Sequence, residues 1–386
     1  MGLLPKRVVA LSVVQRAALP TIERSRRRNT DDHVMPMVRS LLTIFMATLL
    51  GVFGATAIVL EAASAAEENG AVVLVYHRFG EADYPSTNVT VAQVDAHIKM
   101  LQEGDFTVLP LSDIIAAFES GDTLPDRAIA ITIDDAFQSI YDVAWPKFRA
   151  AGFPFTVFVA TDLVDRGHGN YMSWDQLREL QQSGVTIGNH TVSHPHLPDR
   201  SMSAVRREIT DAQARLTDEL GVAPSLFAYP FGESSSEIAE LVIELGFTAA
   251  FGQHSAVSFA EHDRFYLPRF ALNENFGNTD RFDLIVNALP LRAIDLTPAN
   301  PTLRSNNPPA FGFTLDPAPG QIDQVNCFAY AQGSSIDLTL QRLGGTRIEV
   351  RLANALPQGR GRINCTMPAE NDRWRWFGMQ YYVPAR

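Results

Sequence analysis

From Ala71 to Phe251 the chain alternates short β-branched or aromatic runs with amphipathic stretches, joined by links of only a few residues. The runs that read as strands are 71–76, 106–109, 128–133, 155–160, 185–187, 225–228 and 248–251, with a further one at 265–267. Between them, 91–101, 112–119, 145–151, 174–183, 204–220 and 236–245 carry helical periodicity. Thr90 and Ser173 stand where N-caps belong, and Gly121, Gly152, Gly184, Gly221 and Gly246 stand where helices stop. Strand–helix alternation on short links predicts a parallel sheet or a barrel. In barrels chemistry gathers at the carboxyl ends of strands. His77, Asp134, Asp135, His190, Tyr229 and Arg269 all fall just after predicted strands, so the pattern predicts that they converge.

Two of these clusters carry recognisable chemistry. Asp134 and Asp135 end the run Ile131, Thr132, Ile133. His190 and His194 lie four residues apart in His190, Thr191, Val192, Ser193, His194. One carboxylate and two neutral imidazoles make a common three-ligand set for zinc or a similar divalent ion, with coordination left open for water. The second carboxylate is then free to act as a base on that water. Alone, an Asp pair is a turn or cap and a spaced His pair is a helix face. Together at strand ends they predict a metal-dependent hydrolase.

The 386 residues leave room for two domains, and 46% hydrophobic against 19% charged residues fits a sizeable core. The net charge of −11 is unevenly spread. Residues 1–66 hold 8 Lys/Arg and 4 Asp/Glu, and residues 295–386 hold 9 Arg and 7 Asp/Glu. The middle, 67–294, is therefore strongly acidic, which argues against nucleic acid as its partner. Residues 41–60 contain no charge, follow Arg39, and lead into a small-residue stretch at 62–66. That is the pattern of a secretory signal, and the run is also long enough for a membrane tether. Met35 or Met37 would make a normal start for such a signal. The expected organisation is an N-terminal extension with signal or anchor over 1–66 and a catalytic domain over 67–294. A Pro- and Asn-rich linker at 295–310 and a small β-sandwich at 311–386 follow. Cys327 and Cys365 are the only cysteines. In an exported chain they predict a disulfide. The aromatic end, Trp374, Trp376, Phe377, Tyr381 and Tyr382, either fills a core or offers a platform for sugar rings.

With these residues in view, 71–289 resembles the polysaccharide deacetylase family, the NodB-homology carbohydrate esterases. The resemblance implies an α/β fold, a distorted (β/α) barrel, here with the C-terminal sandwich appended. Thr132 to Asp135 is similar to the family's Thr-Phe-Asp-Asp motif, which makes Asp134 the general base and Asp135 a metal ligand. His190 to His194 matches the His-Ser/Thr-x-x-His motif, whose histidines bind the metal, most often Zn2+, with Co2+, Ni2+ or Mn2+ as other candidates. Ala228 to Gly232 is similar to the Arg-x-Pro-Tyr/Phe-Gly motif, which assigns Tyr229, Pro230 and Phe231 to substrate and oxyanion, with the Tyr229 N–H as donor. Two departures stand out. The motif's Arg, which orients the base, is Ala228 here, and the late Leu-x-His motif has no counterpart; its place reads Tyr266, Leu267, Pro268, Arg269, Phe270. Arg269 is expected to take over the ion pair to Asp134, since a guanidinium binds a carboxylate at two points. His77 is the first candidate for the general acid, with His196 a second near-site histidine. His168, His254 and His262 have no supporting context. The activity implied is an exported hydrolase of linear amides, removing N-acetyl groups from an acetylated amino-sugar polysaccharide. The rivals are an O-acetyl glycan esterase of the same fold and a carbohydrate-binding protein that has lost catalysis.

Overall fold

The computed structural model describes residues 69–317 and 321–385, all within one compact unit, Glu61–Arg386. The signal or anchor expected over 1–66, with its uncharged run, lies outside the described residues. Seven parallel strands follow one another around the sheet: β1 (Ala71–Tyr76), β2 (Ala128–Asp134), β3 (Thr156–Val159), β4 (Thr186–Asn189), β5 (Leu226–Ala228), β6 (Ala249–Phe251) and β7 (Phe270–Ala271). Their spatial order is β7-β1-β2-β3-β4-β5-β6, and the two-residue strand Thr107–Val108 joins beside β2. Helices lie between them: α1 (Val91–Glu103), α2 (Leu111–Ser120), α3 (Trp145–Ala151), α4 (Trp174–Gln182), α5 (Met202–Leu220) and α6 (Ser236–Glu244), with α7 (Thr279–Val286) after β7. Thr90 and Ser173 each close a full capping box, with Gln93 and Gln176 returning the bond.

Successive strand residues serve opposite faces. Val72, Leu74, Tyr76, Ile129, Ile131 and Ile133 pack outward under the helices. Ala71, Val73, Ala128, Ala130, Ala228 and Ala249 turn inward beside Phe158 and Phe251. The inward side chains are mostly small, so the interior has room for those two rings and one long charged group. Gly188 belongs to the same accommodation, because a Cβ there would lie 2.4 Å from the Phe158 ring.

Where 265–267 was expected to be a strand, Leu267 alone pairs, with Phe251. Regular pairing resumes at Phe270, beside Leu74 of β1. Pro268 offers no N–H and interrupts the ladder between them. The segment 267–271 thus joins the two edges of the sheet: Leu267 exchanges bonds with Ala250 and Gly252 at 2.9 and 2.8 Å, and Phe270 sits against β1. Arg269 falls in the seam. Helix α7, capped by Asn278, and a π-turn over Ile140–Ala144 are short elements that periodicity does not single out.

The expected linker is not free chain. Strand β9 (Ala293–Thr297) already belongs to the sandwich, Thr302 bridges Tyr382, and Leu303 is buried in the sandwich core. The strand β8 (Leu289–Pro290), β9, β10 (Ala310–Leu315), β11 (Asn326–Ala331), β12 (Ser334–Ile336), β13 (Leu338–Leu343), β14 (Arg347–Leu352), β15 (Gly359–Pro368) and β16 (Trp374–Val383) form two sheets, β8-β16-β15-β11-β12 and β9-β10-β14-β13. Phe311, Phe313, Ile348, Val350, Ile363, Phe377 and Tyr381 fill the space between them. Most of the aromatic end is therefore core, while Trp376 packs edge-on against Phe270 of the barrel at 5.3 Å. The two folds meet closely. Gln380 Nε2 donates to the carbonyls of Phe231 and Gly232 at 3.0 Å each, and the Tyr382 hydroxyl donates to Asp199 at 2.6 Å. A Cβ at Gly378 would lie 2.3 Å from the Ser255 carbonyl oxygen.

Cys327 and Cys365 face each other across β11 and β15 and form a disulfide spanning 38 residues of sequence. Closing a loop of that size stabilises by about 3–4 kcal/mol. Replacing both cysteines by Ser is expected to lower the unfolding free energy by that amount in urea titration; an unchanged midpoint would refute this.

Candidate metal and hydrolytic site

Asp134 ends β2, and the chain then turns through two left-handed residues, Asp135 at φ 78° and Ala136 at φ 56°. Thr191 (φ 70°), His194 (φ 54°) and Phe231 (φ 58°) share that conformation in the loops after β4 and β5. For residues with a Cβ this is strained and persists only where the surroundings enforce it. Here the enforcement is visible. The Asp135 N–H donates to Phe158 O at 3.0 Å. The loop bearing both histidines is held by Glu208 of α5, whose carboxylate accepts from the N–H groups of Val192 and Ser193 and from the Ser193 hydroxyl, at 3.1, 2.8 and 2.7 Å.

The loops bring Asp135, His190 and His194 together, with one ligand atom from each lying within 4.8 Å of the others. Asp135 Oδ1 is 3.6 Å from His190 Nε2 and 3.4 Å from His194 Nε2. Donors bound about 2.1 Å from a shared tetrahedral ion stand about 3.4 Å apart, so the spacing suits a small divalent cation. His190 Nδ1 donates to Ala228 O at 2.7 Å, which fixes the proton there and leaves Nε2 with a lone pair. That Nε2 and Asp135 Oδ1 are buried and have no hydrogen-bond partner, an arrangement that is unfavourable without a cation between them. Burial holds His190 down to about 3 and His194 to about 4, keeping both neutral. Burial, with the Asp134 charge beside it, pushes Asp135 up to about 6. A donor set of two neutral imidazoles and a carboxylate with an orphaned oxygen fits the ion that the sequence implies.

Asp134 is fully buried and bound at two points by the equally buried Arg269: Nη1 to Oδ1 at 2.7 Å and Nη2 to Oδ2 at 2.8 Å. Burial alone would raise its pKa; the Arg269 charge, with His190, overrides this and holds the carboxyl well below the usual range. Two more Arg269 donors are occupied, Nε by Gly252 O at 2.8 Å and Nη1 by Thr132 Oγ1 at 3.1 Å. The ion pair expected between Arg269 and Asp134 is thus present. Gln253 Nε2 adds a third donor to Asp134 Oδ2 at 3.3 Å. That same oxygen lies 4.0 Å from His190 Nε2, facing the metal-ligand cluster.

The Tyr229 expectation is corrected. Its N–H donates to Phe251 O at 3.0 Å as part of the β5–β6 pairing, its hydroxyl donates to Phe265 O at 2.8 Å, and its ring is buried. It has no donor to offer a substrate. Pro230 is buried and has no N–H. Phe231 is the member of the three that reaches the site, with its ring 4.4 Å from that of His194 and stacked on His196 at 4.2 Å. His77 lies among the charges of Asp134, Asp135 and Arg269, its Nδ1 buried without a partner, and burial holds it below the usual histidine value. His196 Nδ1 is 2.7 Å from Glu233, a buried carboxylate. His254 and His262 are packed on Tyr266 and Phe259, and the His254 carbonyl accepts from the Arg269 N–H at 3.0 Å. Gln253, Glu208 and Glu233 escape sequence reasoning, since nothing in their local pattern separates them from ordinary polar residues.

Comparison with known proteins agrees with the fold. Residues 121–250 match the family model described as Polysaccharide deacetylase. YxkH of Bacillus subtilis (strain 168), named as a polysaccharide deacetylase, is 22% identical over 45% of this chain; the chain spans only 61% of that relative. The poly-β-1,6-N-acetyl-D-glucosamine N-deacetylase of Staphylococcus aureus (strain MRSA252) is 22% identical over 54% of this chain and 81% of its own length. Among solved structures, the Streptococcus pyogenes deacetylase PplD in complex with acetate superposes with a TM-score of 0.53 at 20% identity, covering 56% of this chain and 98% of its own. A de-N-acetylase from Aggregatibacter actinomycetemcomitans gives 0.50 at 19% identity, covering 55% and 98%. These likenesses establish the barrel fold.

Arg269→Ala leaves Asp134 buried and unpaired, which is expected to destabilise the protein by about 3–5 kcal/mol. Arg269→Lys keeps the charge but loses the two-point fork and should recover only part of this. Equal thermal midpoints for parent and Arg269→Ala would contradict the pairing.

Proposed function

We propose, on the premise that residues 121–250 are those of a polysaccharide deacetylase domain, that this chain is a metal-dependent hydrolase removing N-acetyl groups from an amino-sugar polymer. The observation that carries the reading is the pairing of two different carboxylates at the end of β2. Asp135 has an orphaned oxygen among two neutral imidazoles, and Asp134 is locked, ionised, beside it. Asp135, His190 and His194 would hold the ion, most simply Zn2+. When bound, such an ion acidifies a water and polarises the acetyl carbonyl.

The chain's own groups supply the rest. Asp134 Oδ2, the oxygen facing the ligand cluster, takes the proton of the attacking water. Its depressed pKa keeps it in the base form throughout the working range. Arg269 and Gln253 fix its plane, so the base is oriented before substrate arrives. The Phe231 N–H, presented by a left-handed residue next to the ligand histidines, is the backbone donor for the oxyanion. The departing amine takes its proton from His77 or from the His196–Glu233 pair. A protein that only bound glycan would have no use for a buried two-point pair on an ionised base. The uncharged run at 41–60 and the disulfide support an exported or membrane-tethered enzyme. The named relatives that act on N-acetylated glucosamine support the amide over an O-acetyl ester.

The test is acetate release from N-acetylglucosamine oligomers by the full chain loaded with Zn2+. Release is expected from the parent, to be lost on chelation and restored by metal, and to fall by about 10²–10⁴ in Asp134→Asn. No release from the metal-loaded parent, with release from O-acetylated glycans, would overturn the amide reading. His77→Ala and His196→Ala, assayed side by side, separate the two proton donors: the true donor loses kcat by a similar factor with KM little changed.

A further inference from the structure

The outward face of the β8-β16-β15-β11-β12 sheet is not uniform. Along β16 it is pressed against the barrel through Trp376, Gly378, Gln380 and Tyr382. Along β11 it is bare: Phe328 is 62% exposed and Tyr330 47% exposed, at alternate positions opposite the disulfide face. Isolated exposed aromatics are ordinary, but two adjacent ones on a flat strand are not.

The register connects them to the site. Tyr330 stands opposite Arg362, and Arg362 opposite Gln380. Arg362 Nε donates to Gln380 Oε1 at 3.1 Å, and Gln380 donates on to the Phe231 and Gly232 carbonyls. One position along, Arg360 lies opposite Tyr382; its guanidinium sits 5.6 Å over the Phe231 ring and 3.6 Å from Glu233. The Tyr382 ring is 6.0 Å from His196, which stacks on Phe231. Gln380 and Tyr382 are buried under the barrel, so the accessible part of the face begins at exposed Arg360, beside the loop after β5, and passes half-buried Arg362 and Asn364 to the two aromatics. At a strand spacing of about 4.8 Å, β11 lies about 10 Å beyond β16.

We propose that this face is an extended subsite for the glycan chain itself: sugar residues flanking the one being deacetylated lie across β15 and stack on Tyr330 and Phe328. The inference rests on the deacetylase reading above. Aromatic rings offer the apolar face that a pyranose ring covers, and exposed Arg360 offers donors for its hydroxyls at the site end of the path, while Arg362 and Asn364 between are half-buried and each already bonded, to Gln380 and Trp376. Continuity with the site selects the substrate polymer over an unrelated ligand.

The experiment compares the full chain with Phe328→Ala/Tyr330→Ala, on N-acetylglucosamine oligomers long enough to reach β11 and on the disaccharide. The expected result is a KM for long oligomers raised about five- to tenfold, with kcat and the disaccharide kinetics unchanged, and recovery in Phe328→Trp/Tyr330→Trp. Both side chains are exposed and only the Tyr330 hydroxyl makes a bond, to Gly333 O at 2.6 Å, so thermal midpoints within a few degrees are expected and confirm folding. Unchanged KM on long oligomers overturns the proposal while leaving the deacetylase reading intact. If the parent releases no acetate, that reading fails, and retardation of the protein by the same oligomers in native gels decides this one: slower migration of the parent but not the variant upholds the face as a glycan site, and equal migration overturns it.

Discussion

The buried pair between Arg269 and Asp134 is the interaction on which the rest depends. Two charges in a barrel interior are unfavourable unless the geometry is good and further hydrogen bonds hold them. This barrel meets the condition by filling its inner face with alanines, which leaves space for a guanidinium, and by closing its edges with the segment that carries it. Closure of the sheet and compensation of the base are therefore one structural event. The base cannot be correctly set in a barrel that is open at the seam.

Much of this was legible in the sequence, for reasons that differ by element. Capping boxes at Thr90 and Ser173 and β-branched runs ending in charged residues are local signals, and the helices and strands they mark stand where expected. The convergence of Asp134, Asp135, His190 and His194 follows from strand-end position, a rule of topology rather than of side-chain detail. Arg269 was assigned by need: a motif lacked its arginine, and another stood at a strand end.

What escaped was set by the third dimension alone. Tyr229 looks like a site residue in sequence, yet the β5–β6 ladder consumes its N–H and its ring faces a core, while Phe231, two positions on, turns left-handed and takes the place at the site. No local pattern announces that reversal. Likewise, a Pro- and Asn-rich stretch carries the composition of a linker, but Thr302 and Leu303 are bound into the sandwich by contacts with residues some eighty positions away. Gln253 and Glu208 act through distant partners, and Glu233 gains its buried place from both folds around it.

The grip of Gln380 on the Phe231 and Gly232 carbonyls has a meaning for how such a chain can change over time. A domain joined by a tether can be gained, lost or exchanged without disturbing its neighbour. Here a side chain from the last strand of one fold steadies the strained loop of the other, so a change at either end of that contact is felt by both. A barrel cut free at the boundary would lose both bonds and hold that loop more loosely, so the sandwich works as a component of the barrel's rim rather than as a passenger.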